Sequence, residues 1–163
     1  MKKILITMYA LIVGVCTTTV FSADQEAIDA ANILYEGSIT KLTAEQTPFD
    51  APLTRWEAAL LLKRFWVTFF ENSLITQDGC SFSDIGKLDN SIQEEILKSC
   101  EIGLFKGNKG KFSPYANFTR GQIITVIGRL LTSDPTLEMN AAYDNLLAQG
   151  IIKVDDRATS SRA

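Results

Sequence analysis

The sequence contains no histidine, and that single absence removes several kinds of chemistry. Ser-His-Asp and Cys-His nucleophile arrangements both need an imidazole as base, so neither can be assembled. Cysteine is scarce as well. Of three, Cys16 falls in an apolar N-terminal run, which leaves Cys80 and Cys100; two thiols without an imidazole fall short of a closed zinc shell. Long hydrophobic runs are missing too: "ILITMYALIVGVC" is too short to span a bilayer comfortably. There is no phosphate-cradling loop, since "GLFKGNKGKF" has the glycines but neither a following Lys-Ser/Thr nor a preceding strand. Acids are scattered, and no spacing sets two of them together as a catalytic pair. These absences point to a protein that is not an enzyme and uses neither cofactor nor metal.

What is present begins with a leader. "MKK", the apolar run and the small residues of "TTTVFSA" read together as a secretory signal peptide over residues 1–23. Its removal takes away Lys2 and Lys3 and no acid, so the net charge moves from −3 to −5. A mildly acidic exported chain offers no electrostatic attraction to nucleic acid or to an anionic membrane, and no membrane span is expected after cleavage. In an exported protein, Cys80 and Cys100 make either one disulfide or two free thiols. Spacing alone does not show that the side chains meet.

Helical periodicity dominates the rest. "DQEAIDAANILYEG", "RWEAALLLKRFWVTFFEN", "NSIQEEILKSCEIG", "RGQIITVIGRLL" and "LEMNAAYDNLLAQG" each carry an apolar stripe at helical spacing, although "FWVTFF" taken alone also suits a strand. The expected class is mainly α. Three of these helices end in a glycine followed by a mostly apolar pair, at Gly37, Gly103 and Gly150. A short loop then leads to a Thr/Ser-Arg pair: Thr54 with Arg55, Thr119 with Arg120, Ser161 with Arg162. The chain therefore reads as three degenerate copies of helix, glycine turn, loop and Thr/Ser-Arg at the start of a further helix.

Thr54-x-x-Glu57 and Thr119-x-x-Gln122 fit the capping box, which accounts for the Thr and the Glu or Gln. The arginine is not accounted for, because a cation at the first helical position faces the positive end of the macrodipole. Two demands would explain it. One is a salt bridge to an acid of a neighbouring copy, with Asp84, Asp89 or Asp144 as candidates. The other is anion binding, in which free N–H groups at the helix start and the guanidinium fork hold a carboxylate or phosphate. Trp56, next to Arg55, is suited either to packing on a neighbouring helix or to stacking on a sugar ring.

The middle copy, "FSDIGKLDNSIQEEILKSCEIGLFKGNKGKFSPYANFTRGQIITVIGRLL", resembles the S-layer homology unit of bacterial cell-surface proteins. The likeness runs from its Phe-x-Asp opening through Gly-(apolar)-x-x-Gly and Phe-x-Pro to the apolar-Thr-Arg helix start. By the same resemblance, residues 24–72 are a partial first repeat, 80–132 the full second and 138–163 a partial third. The family implies three repeats in a pseudo-threefold helical bundle. It also implies non-covalent attachment of an exported protein to the cell envelope, through a cell-wall polysaccharide that often carries acidic pyruvyl groups. Thr54, Arg55, Trp56, Thr119, Arg120, Ser161 and Arg162 would then line the ligand grooves. The competing expectation is a secreted helical-repeat protein that binds other proteins or assembles a surface layer.

Overall fold

The computed structural model describes residues 25–70 and 79–153; the expected signal peptide and the Ser161–Arg162 site lie outside them. Among the described residues there are five α-helices and no strand: α1 Gln25–Glu36, α2 Arg55–Phe69, α3 Asn90–Glu101, α4 Arg120–Thr132 and α5 Met139–Ala148, with a 3-10 turn at Ala44–Gln46. The mainly α class therefore holds.

Each helix is built on a narrow apolar stripe that it buries. On α1, Ala27, Ala30, Ala31 and Leu34 recur at helical spacing and face inward. On α2 the stripe is Ala58, Leu62, Phe65 and Trp66. The "FWVTFF" stretch belongs to this helix up to Phe69. Helical spacing brings Phe65 within 4.9 Å of Phe69 and stacks Trp66 on Phe70 at 4.6 Å, contacts that alternating strand geometry would not make. Helix α4 is buried on nearly every side (Ile123, Ile124, Val126, Ile127 and Leu130), so it stands at the centre. α2 packs on α3, α4 packs on α5, and one core cluster draws on all five helices.

The three helix-ending turns share one hydrogen-bond pattern. Ile39, Leu104 and Ile151 donate N–H to the carbonyls of Leu34, Ser99 and Leu146 at 2.9, 3.0 and 2.9 Å. One residue earlier, Ser38, Gly103 and Gly150 donate to Tyr35, Cys100 and Leu147 at 2.9, 2.7 and 2.9 Å. This is the Schellman turn, whose penultimate residue must take positive φ, and Ser38, Gly103 and Gly150 do so at 56°, 75° and 63°. The first turn thus differs from the sequence expectation by one residue. Ser38, not Gly37, holds the left-handed position. Ile39, Leu104 and Ile151 are all buried, which anchors each turn to the core.

Cys80 and Cys100 form a disulfide, with 6.1 Å between their Cα atoms. It ties the loop before α3 to the last turn of that helix. Asp84 organises the next loop: its two carboxylate oxygens accept the N–H groups of Phe112 and Ser113, each at 2.8 Å. Phe82 packs on Phe112 at 5.2 Å. The Phe-x-Asp opening of the middle copy and its Phe-x-Pro loop are therefore in direct contact.

Candidate functional site

The start of α2 lies against the segment that leads into α4. Thr54 and Asn117 form an antiparallel bridge, and Phe118 donates N–H to the Leu53 carbonyl at 2.8 Å. The Arg55 N–H bonds Ala116 O at 2.8 Å, and the Trp56 N–H bonds Pro114 O at 3.1 Å. Glu57 completes the box, accepting the Thr54 N–H at 2.9 Å and the Thr54 hydroxyl. The first-turn donors of α2 are thus consumed by protein, as buried N–H groups generally are. Anion binding there must come from side chains. At α4, Thr119 donates N–H to Gln122 Oε1 at 3.2 Å, and its hydroxyl accepts the Gln122 N–H at 3.4 Å. Arg120 opens that helix half-buried.

Among the described residues Arg55 forms no ion pair with an acid. Its Nη2 donates to the Lys106 carbonyl at 2.6 Å, and its guanidinium carbon lies 5.4 and 5.0 Å from the centroids of Phe105 and Phe112. Lys63 pairs with Glu95 at 2.8 Å. Asp84 is engaged with the 112–113 loop, and Asp89 occupies the N-cap position of α3, where its backbone carbonyl accepts from Ile92 and Gln93. Burial, and then the charge of Arg129, push the Arg55 guanidinium below its usual range.

Arg129 is the residue that sequence reasoning missed. It is buried on α4, with 8% of its surface exposed. Its Nε and Nη1 donate to the carbonyls of Leu137 and Leu104 at 3.1 and 3.2 Å. Burial lowers its pKa, while Glu138 and Asp134 work in the opposite direction. Leu104 closes the turn that ends α3, and Lys106 lies two residues further along the loop. The cation at the start of α2 is therefore held by a loop carbonyl and two aromatic faces of the segment that follows α3.

Arg55 and Arg129 line a cleft of about 200 Å³ together with Leu104, Phe105, Lys106, Phe118, Gln122, Thr125 and Val126. A second groove, of about 400 Å³, lies between α1 and α2. Its walls include Ile39, Thr40, Lys41, Leu53, Glu57, Leu60, Leu61 and Arg64. Those eight residues match all the cleft residues except Arg55, one for one, by the same 65-residue step that separates Arg55 from Arg120. The two are one groove built twice, polar in the second copy and apolar in the first. Half-buried Trp56 stands in the wall of the apolar one. The recurring Arg64 and Arg129, nine residues after each Thr-Arg, and the Lys41, Lys106 and Lys153 that follow the turns, were available as sequence signals of this groove.

Among the described residues no three metal-ligating side chains come together, and no helix is long and apolar enough to cross a membrane. The chain matches no family model, no curated protein and no solved structure.

Proposed function

We propose that this exported chain attaches to the bacterial cell envelope by binding an acidic cell-wall polysaccharide in the grooves beside its Thr-Arg helix starts. The observation that carries the proposal is the cleft of Arg55: two guanidinium groups face one cavity with no carboxylate in ion-pair contact with either among the described residues. Clustered, partly desolvated cations of this kind are favourable hosts for an anionic ligand. The resemblance of the middle copy to an S-layer homology unit agrees with it.

The proposal includes three copies around a pseudo-threefold axis. Three matching Schellman turns, and a groove lining that recurs at a 65-residue step, support such an arrangement. In it, Arg55 with Thr54 serves the second groove and Arg120 with Thr119 the third. Trp56 offers an apolar face to a sugar ring at the first groove.

Retention of the purified chain on isolated wall polysaccharide tests this reading. Wild type is expected to bind, with affinity falling at high salt as screening weakens charge pairing. Arg55→Ala combined with Arg120→Ala should bind at least about tenfold more weakly, as loss of charge-assisted bonds of about 1.5–3 kcal/mol implies. Undiminished retention of that double variant rejects the reading. One observation favours a second reading, a protein partner: the first groove is walled by Leu53, Trp56, Leu60 and Leu61. Co-purification of a stoichiometric protein, with no glycan retained, would select it.

A further inference from the structure

Arg129 lies outside the Thr-Arg pattern, yet it is the one charged side chain in the buried class among the described residues. Its guanidinium is fixed by the Leu104 and Leu137 carbonyls. Arg55 is fixed too, by the Lys106 carbonyl and the faces of Phe105 and Phe112. Among the described residues those bonds leave Nη1 of Arg55 and Nη2 of Arg129 without an acceptor, and the buried, partnerless side-chain nitrogen there is Arg55 Nε. Asp134 and Glu138 act on Arg129 without reaching ion-pair distance.

The remaining polar wall also favours an acceptor ligand. Gln122 spends its carbonyl oxygen on the Thr119 N–H and so keeps its amide NH2 for the cleft. Lys106 lines the same wall, where its carbonyl holds Arg55. Thr125 gives its one hydroxyl hydrogen to the Gly121 carbonyl at 2.8 Å, so it offers the ligand no donor and only closes the wall. The cleft is also smaller than the roughly 300–1,000 Å³ of pockets that enclose a whole small molecule, so it takes a substituent rather than a chain.

Resting on the glycan-binding reading above, we infer that Arg55 and Arg129 together clasp a single carboxylate borne by a substituent of the ligand, with Arg129 a binding residue in its own right. A carboxylate has two oxygens and about four lone-pair directions, enough for two guanidinium groups at once. Because both forks are already held in place, little side-chain entropy is lost when it binds.

The test uses the full chain, with sodium lactate as the carboxylate probe and sodium chloride at equal ionic strength as control. NMR follows the arginine side-chain N–H signals, and the same proteins are then assayed on wall polysaccharide. Arg129→Gln also removes the ties to Leu104 and Leu137 and could unfold the chain. The second variant is therefore Thr125→Leu, which copies Leu60 of the first groove and fills the cleft without touching either arginine. Lactate should shift the Arg55 and Arg129 signals saturably in wild type, and chloride should not. Thr125→Leu should abolish those shifts and weaken polysaccharide binding at least tenfold, with its melting temperature little changed. Unmoved arginine signals, or a Thr125→Leu protein that takes lactate like wild type, overturn the clasp. Polysaccharide binding without a lactate response overturns the clasp and leaves the glycan reading standing. A lactate response without polysaccharide binding supports the clasp as a carboxylate site and rejects the glycan reading.

Discussion

Ser38 occupies in the first helix-ending turn the position that Gly103 occupies in the second, and both are left-handed, at φ 56° and 75°. For a residue with a Cβ this conformation costs about 1–2 kcal/mol, partly offset in glycine's case by its larger chain entropy. Ser38→Gly should therefore stabilise the protein by about 0.5–1 kcal/mol. Gly103→Ala should destabilise by about 2–4 kcal/mol, because its Cβ would also lie 2.4 Å from Pro135 Cβ. Urea denaturation of the two variants measures both signs.

Gly128 of α4 lies tight against Ala142 of α5. A Cβ there would stand 2.6 Å from Ala142 Cβ and 3.0 Å from Ala142 Cα. Alanine gains about 1 kcal/mol of helix propensity, and overpacking typically costs about 1–3 kcal/mol. Gly128→Ala is expected to lose up to about 2 kcal/mol net in thermal or urea unfolding, the reverse of what propensity alone predicts.

Reduction of the Cys80–Cys100 bond, or its replacement by Cys80→Ser with Cys100→Ser, frees a loop of sequence separation 20. Loop-closure entropy for that length corresponds to about 3 kcal/mol. Unfolding free energies from urea denaturation with and without reductant should differ by about that amount, and the double serine variant should be insensitive to reductant.

Asp84 links stability to acid. Burial acts to raise its pKa, but the N–H groups of Phe112 and Ser113, with Lys111 nearby, outweigh it and hold the carboxyl below its ordinary value. A depressed folded-state pKa contributes stability above the unfolded value, near pH 4, and loses it as pH falls through the folded value. Melting temperature should therefore drop below about pH 4 more steeply in wild type than in Asp84→Asn. Equal slopes would remove Asp84 from the account.

Much of the local structure was legible because its causes are local. The capping boxes at Thr54 and Thr119 and the helix ends at Gly103 and Gly150 are decided within three to six residues. The same nearness explains the error at the first turn. Gly37 looked like the terminating glycine because glycine is the usual occupant, whereas the hydrogen bonds from Ser38 and Ile39 place the reversal one residue later. The two cysteines could be paired or free on spacing alone. It took the packing of the loop against α3 to bring their Cα atoms to 6.1 Å.

The candidate site was only half legible. Arg55 drew attention through its unfavourable place at a helix start, but its partner is a carbonyl 51 residues away. Arg129 drew none, since an arginine late in an amphipathic helix resembles any solvated cation until α3 and α5 close over it. Its acceptor, Leu104, is 25 residues distant.

The sequence by itself determined where most helices begin and end, the two Thr-Arg helix starts, and the lack of imidazole chemistry, because these follow from residue identity and from hydrogen bonds a few positions long. Only the tertiary structure decided that two arginines from different copies share one cleft, and that one copy's groove is polar while the other's is apolar. Burial and charge proximity are properties of what packs against a side chain, and the chain must fold before either exists.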